Sequence, residues 1–414
     1  MLLVGIASIP AYAETIRSRQ WHLDIMGAEK IWNVSTGKGV TVAVIDTGVD
    51  KNNPDLLGQI LDGKDFAPDK PGDEHTDYMG HGTGVAGLIA GTGNGSGGDG
   101  AVGLAPGAKV LPIRLPGVDV QAHSQKAGNL EFNRVAPPAI RYAADSGAKV
   151  INISLGVTEG SRQLTDAVKY ASDKGSLVFA SVGNSADKGN LVEYPGATPG
   201  VVGVGAIDKK LTRTMESQYG PQVDMVAPGE QMVHACGGGT GLCESHGTSD
   251  ATALASAAAA LIWSKHPDWT NNQVLKVMLN TISGPTSGEK RNDYIGYGAI
   301  RPLRALKTPG DPGPADVYPL PDLAAESKTP SSAPTQAAGS GAEKPAAAAP
   351  ASNDSDSNTG LWIGLGVAAA ALVGTAIAVP AIRARRRAAT PAGAPGPYPP
   401  QYPPYGPTGP GQSR

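Results

Sequence analysis

Ser245-His246-Gly247-Thr248-Ser249-Asp250-Ala251-Thr252-Ala253 stands between a glycine-rich segment and an alanine-rich run that reaches Ser264. Alanine is the strongest helix former, so a helix is expected to begin at Gly-Thr-Ser and to carry Ser249 in its first turn. The opening N–H groups of a helix lack intrahelical partners, and the macrodipole adds partial positive charge there. A negative oxygen forming beside Ser249 would be stabilised. Gly247 lets the chain turn sharply just before the helix and brings the hydroxyl to the surface. The plainer alternative is that Gly-Thr-Ser merely caps the helix, a common use of Ser and Thr. The rest of the chain decides between them.

Upstream, residues 201–207 and 223–226 read as strands, and so do 177–181, which run into Ser181-Val182-Gly183-Asn184. An Asn in such a glycine turn either donates a hydrogen bond into a cleft or simply occupies the turn. Before it come helix-like 162–174, strand-like 150–154, helix-like 138–146 and strand-like 109–115. Strand and helix in alternation predict βαβ units and a parallel sheet covered on both faces. Residues 91–100 and 116–137 read as surface loops, the second long enough to shape a binding site. Residues 40–45 (Val-Thr-Val-Ala-Val-Ile) form a fully buried parallel strand that ends in Asp46-Thr47-Gly48. Functional groups gather at strand C-termini in open α/β sheets, although a lone Asp there is also a common turn former. In Gly80-His81-Gly82-Thr83-Gly84-Val85-Ala86-Gly87-Leu88-Ile89-Ala90-Gly91 the small residues suggest a helix packed closely on a sheet, with His81 near its start. Such a His can take and return a proton near neutral pH, or it can fill a crowded turn. His75, His123 and His246 have no comparable setting and read as ordinary polar residues.

Asp46, His81 and Ser249 occur in that order, each in a glycine-flanked motif at the end of an element. The strings Val44-Ile45-Asp46-Thr47-Gly48, His81-Gly82-Thr83-Gly84-Val85-Ala86-Gly87 and Gly247-Thr248-Ser249 resemble those of the subtilisin-like serine proteases, over residues 40–306. The resemblance implies that Ser249 attacks a peptide carbonyl, His81 moves the proton and Asp46 orients the imidazole. It also implies that Asn184 serves the oxyanion hole. Ser154-Leu155-Gly156 falls where that family pairs an edge strand with the substrate backbone, and Ser181 and Gly183 are expected to line the same cleft. No cofactor is called for, and no carboxylate cluster has compelling spacing for a metal.

Two features stand apart from that pattern. The family usually has an apolar residue after the serine, whereas here Asp250 follows; its carboxylate suits a helix start yet would oppose a developing oxyanion. That leaves room for a catalytically weak scaffold as the alternative to an active protease. Cys236 and Cys243 are the only thiols, which excludes four-ligand zinc patterns, and the six mostly flexible residues between them allow a bridge. A disulfide holding the loop into Ser249 is expected, consistent with an exported domain; a pair of free thiols is the alternative.

The 414-residue chain has a formal net charge of -3, with 56 Gly and 35 Pro, which suits one large domain with low-complexity ends and offers no basic surface for nucleic acid. Residues 1–13 read as an export signal ending in Ala11-Tyr12-Ala13, and the lack of a leading Lys or Arg reads as a signal shortened by a late start codon. Residues 14–39 form an arm, 40–307 the peptidase domain, with 271–281 a further helix, and 308–360 a Pro/Ala/Ser-rich tether too poor in large apolar groups to fold. Residues 361–382 are mainly apolar and uncharged, long enough to cross a bilayer, and Arg383, Arg385, Arg386 and Arg387 follow. By the positive-inside rule the tail 383–414 is cytoplasmic and the protease domain lies outside the cell. The tail is rich in Pro and could serve as a ligand for a cytoplasmic partner. This architecture, with Gln20-Trp21-His22-Leu23, Gly296-Tyr297-Gly298 and Arg301-Pro302, resembles the mycosins, membrane-anchored subtilisin-like proteases of type VII secretion systems. Only 32 residues (14 through 45) lead to the catalytic strand's Ile45, too few for a usual folding prodomain. The resemblance implies protein substrates and association with the secretion complex in the cell membrane.

Overall fold

Strand β1, Thr41–Asp46, is buried along nearly its whole length, and its side chains alternate between two cores. Val42 and Val44 face one, Ala43 and Ile45 the other, so helices must cover both faces. In the computed structural model, which describes residues 14–116, 124–237 and 241–323, β1 belongs to a seven-stranded parallel sheet. The other strands are β2 Lys64–Asp65, β3 Lys109–Arg114, β4 Val150–Ile153, β5 Leu177–Ser181, β6 Val201–Ile207 and β7 Met225–Pro228. Their order is β2-β3-β1-β4-β5-β6-β7, every neighbouring pair parallel. The chain leaves β1 toward one edge and, from β4 onward, adds strands toward the other. Such a reversal opens a crevice at the strand C-termini, where Asp46 and the residues after β4 and β5 lie.

Three short helices open the described chain: α1 Ile16–Arg19, α2 Trp21–Met26 and α3 Ala28–Trp32. Leu23, Met26, Ala28 and Ile31 bury into one core together with α4 His81–Ala90, α7 Thr248–Lys265, α8 Asn271–Thr281 and α9 Pro302–Lys307. Full burial of Leu23 and Ile31 is worth about 1.5–3 kcal/mol each. The opposite face is covered by α5 Gln125–Asp145 and α6 Arg162–Asp173. Helix α7 is buried on all sides from Ala251 to Trp263, and its alanines let it lie close under the sheet.

Several expectations change. Helix α5 begins at residue 125, thirteen residues before the expected start at 138, so most of the anticipated loop is helix. Pro137 and Pro138 read as a stop, but Ser124 caps the start and Phe132, Val135, Ala136, Ala139 and Ile140 bury one face on both sides of them. An antiparallel hairpin, β8 Met232–Ala235 and β9 Leu242–Ser245, occupies what looked like irregular chain before Ser249. Residues 308–323, assigned above to the tether, lie on the domain: Leu320 enters the main core and Asp322 accepts from the Gly200 N–H at 2.6 Å. Among the described residues no helix is long and apolar enough to cross a membrane. Segment 361–382, the export signal, the rest of the tether and the tail fall outside the described residues.

Candidate active site

Asp46 closes β1 and is fully buried, while His81 is the first residue of α4 and about one third exposed. The His81 Nδ1 lies 2.7 Å from Asp46 Oδ1. The same oxygen accepts from the Thr47 N–H at 2.7 Å and the Thr47 hydroxyl at 3.2 Å, which fixes the carboxylate. Glycine at 82 permits this approach, since a methyl group there would stand 3.0 Å from Asp46 Cβ. The Asp46 carboxylate holds the His81 imidazolium well above the ordinary histidine range, against the opposing effect of burial; Asp250 and Asp77 add to the rise.

Ser249 sits in the first turn of α7, as expected. Its hydroxyl donates to the Ser154 carbonyl at 3.1 Å, and the Ser154 hydroxyl donates to the Ser249 carbonyl at 3.2 Å. Ser249 is thus tethered to the end of β4. Catalytic hydrogen bonds often tighten only when substrate binds.

Asn184 follows β5 and is exposed. Its Oδ1 accepts from the Thr248 N–H at 2.9 Å and the Thr248 hydroxyl at 3.0 Å. With the carbonyl end fixed, Nδ2 is the end left to donate. Gly247, at φ 137°, passes so close that a Cβ would lie 3.1 Å from Asn184 Nδ2. Thr248, absent from the sequence-derived site, is therefore the residue that aims the amide.

Residues 154–156 run past the C-terminal end of β4, which lies between β1 and β5. Leu155 packs on the α5/α6 core, whereas Gly156 and Gly183 face the half-buried carboxyl of Glu193. A methyl group at Gly156 would meet Glu193 Oε2 at 3.1 Å, and one at Gly183 its Cδ at 2.6 Å. Burial raises the Glu193 pKa. Gly156 and Gly183, from two of the segments expected to line the cleft, thus converge on Glu193, a residue no local motif marks, while Ser181 ends β5.

On the other side of His81 a cavity of about 770 Å³ is bounded by Asp77, Met79, His81, His234, Asp250 and the Cys236–Cys243 bridge. The disulfide joins the two chains of the β8/β9 hairpin next to its tip. His75 lines this cavity too, near Asp62 and Glu74, while His246 is exposed and bonded to Glu216 at 2.7 Å; His123 lies outside the described residues. No group of three or more potential metal ligands occurs among the described residues.

Residues 37–298 match the model of the subtilase family. Subtilisin BL of Lederbergia lenta is 38% identical over 248 residues, 60% of this chain and 85% of that protein. Among solved structures, MycP1 from Mycobacterium smegmatis is 28% identical with a TM-score of 0.63, over 75% of this chain and 89% of that one. The MycP3 protease from the type VII (ESX-3) secretion system is 31% identical with a TM-score of 0.63, over 72% of this chain and 90% of that one.

Proposed function

This chain belongs to the subtilase family of serine proteases, and from that premise we propose that it is a mycosin-like, membrane-anchored endopeptidase acting through Asp46, His81 and Ser249. What supports the assignment most is the 2.7 Å contact between a fully buried carboxylate and the imidazole that opens α4, with Ser249 at the start of the buried helix α7. Ser249 Oγ attacks the scissile carbonyl as His81 takes its proton. Asp46 holds the tautomer with the proton on Nδ1 and stabilises the imidazolium. The Asn184 amide and the Ser249 N–H receive the oxyanion, and the imidazolium then returns its proton to the leaving amine. The sequence offers one reason for a scaffold reading, the carboxylate of Asp250; in the fold it is buried and accepts from Ser245 Oγ at 2.6 Å.

The likeness to MycP1 and MycP3 supports protein substrates handled beside a type VII secretion complex. The mainly apolar residues 361–382 and the arginines after them support a single anchor, with the peptidase domain outside the cell and an export signal at residues 1–13. Hydrolysis of a quenched peptide library by the purified full chain tests the chemistry. Ser249→Ala and His81→Ala are expected to lose roughly 10⁴-fold or more in kcat/KM; retained hydrolysis in either variant contradicts the assignment.

A further inference from the structure

Behind the cavity beside His81, three side chains outside the triad form one hydrogen-bonded line. His234 Nδ1 lies 2.7 Å from the Ala235 carbonyl oxygen, His234 Nε2 lies 2.7 Å from Ser245 Oγ, and Ser245 Oγ lies 2.6 Å from Asp250 Oδ2. Proton bookkeeping limits what this line can be. A carbonyl has no proton, so Nδ1 carries one and donates it. The gaps from Nε2 to Oγ and from Oγ to Oδ2 then need a proton each, and the serine hydroxyl supplies only one. The other sits on Nε2, giving an imidazolium and a carboxylate, or on Oδ2, giving a neutral imidazole and a neutral acid. In both arrangements the trio holds one shared proton and has no net charge.

We propose that His234, acting through Ser245, cancels the charge of Asp250 and so keeps an uncompensated carboxylate from standing beside the nucleophile and the base. His234 is a positioning residue in this account, and the account rests on the reading of His81 and Ser249 as base and nucleophile. The need is physical: Asp250 is 5% exposed, and an unpaired buried charge there would be strongly destabilising and would oppose the oxyanion. Burial favours its neutral form, whereas His234, Ser245, His81 and His246 favour its ionised one. The other groups facing the trio do not replace His234. His22, from α2, is fully buried with both ring nitrogens unpartnered, and burial, His234 and Arg17 push it down to about 3, so it is neutral. His246 is exposed and paired with Glu216. His81 is held by Asp46, with Asp77 nearby. The packing fits as well: a methyl group at Gly84, one turn after His81, would stand 2.6 Å from His234 Cε1, so glycine there lets the base's helix close onto this imidazole.

The test is a titration of His81 by NMR in the full chain labelled at histidine, which has 7 His, with the His81 resonance identified by its absence in His81→Ala. Asp250→Asn, which mimics the protonated acid, is expected to move the His81 midpoint far less than loss of a bare carboxylate would, because the proton shared with His234 offsets most of the rise that Asp250 contributes. His234→Gln can still donate to Ser245 but has no charge, and is expected to raise the midpoint by about one pH unit. The double variant His234→Gln/Asp250→Asn should return it to the wild-type position. A single variant that unfolds while the double one folds carries the same meaning. The proposal is overturned if Asp250→Asn lowers the midpoint by about one unit, as removal of a bare carboxylate would. It is equally overturned if His234→Gln leaves the midpoint in place, or if the double variant does not reverse the effect or fails to fold. Reactivity of Ser249 toward a fluorophosphonate is scored separately, so the protease reading can fail while this one holds, and the reverse.

Discussion

Thr248 and Gly247 show how single residues of the Gly-Thr-Ser motif divide the work around Ser249. Thr248 binds the carbonyl end of Asn184 with both its N–H and its hydroxyl, and Gly247 leaves the space in which that amide lies. Asn184→Ala is expected to lower kcat by roughly 10²–10³ with little change in substrate affinity, a magnitude taken over from subtilisin itself rather than read from this geometry; equal loss in both constants would remove the oxyanion role. Thr248→Val keeps the shape and the backbone bond, removes the hydroxyl bond that helps to fix the amide, and should reproduce part of that loss. A different residue governs stability in acid. His22 is held near 3 against an ordinary value of 6.5, so the unfolded chain binds the extra proton first as the pH falls. Its contribution is complete above the unfolded pKa of 6.5 and is lost as the pH drops from there toward 3. His22→Leu should therefore flatten the acid side of melting temperature against pH between those values. An unchanged slope would show that another group takes up the proton. Asp46, His81 and Ser249 are legible because each stands in a local motif, whereas the roles of Thr248 and His22 depend on partners distant in sequence. The His234, Ser245 and Asp250 line is not legible, since nothing in the spacing of those three reveals that a hairpin folds one onto the other two.

At the scale of elements, the β8/β9 hairpin and helix α7 carry the site between them. The hairpin pairs Met232 with Ser245 and His234 with Cys243, and the Cys236–Cys243 bridge closes it. The α2 segment braces it from behind: Gln20 Nε2 donates to the Val233 carbonyl and Trp21 Nε1 to that of Glu230. Replacing both cysteines by alanine should cost roughly 2–3 kcal/mol of stability, read as a lower melting temperature in the oxidised but not the reduced protein. No difference between those two states would mean that the hairpin holds without its bridge. Strands β5 and β6 and helix α8 are clear in the sequence because runs of Val and Ala or a 3.6-residue period extend over enough positions. The hairpin strands have four residues each, too few for a pattern to emerge from a glycine-rich stretch. Helix α5 is obscured for another reason, since its Pro pair looks like a boundary and only the buried residues on both sides reveal continuity.

For the whole molecule, the order of strands matters more than any one of them, because it brings the ends of β1, β4 and β5 to one crevice. That convergence could be inferred from the alternation of strands and helices, whereas the packing of residues 308–323 onto the domain could not. Their Pro, Gly and Asp content reads as tether, and Leu320 is a buried apolar anchor whose partners lie far away in sequence. If residues 361–382 are the anchor, the full chain should sediment with membranes and a chain ending at residue 360 should not; continued sedimentation of the shortened chain would place the anchor elsewhere. The pH profile depends on the whole fold, since β1 and α4 meet only in the folded domain. As Asp46 raises His81, kcat/KM should climb with pH on an acid limb displaced above the ordinary value of 6.5, because only neutral imidazole can take the serine proton. The central claim is that Ser249 is a nucleophile activated by His81, and the most direct measurement is peptide mapping by mass spectrometry after treating the full chain with a fluorophosphonate. The account predicts one adduct, on Ser249, absent in Ser249→Ala and strongly slowed in His81→Ala; a folded wild-type protein that takes up no label, or takes it up equally without His81, would contradict it.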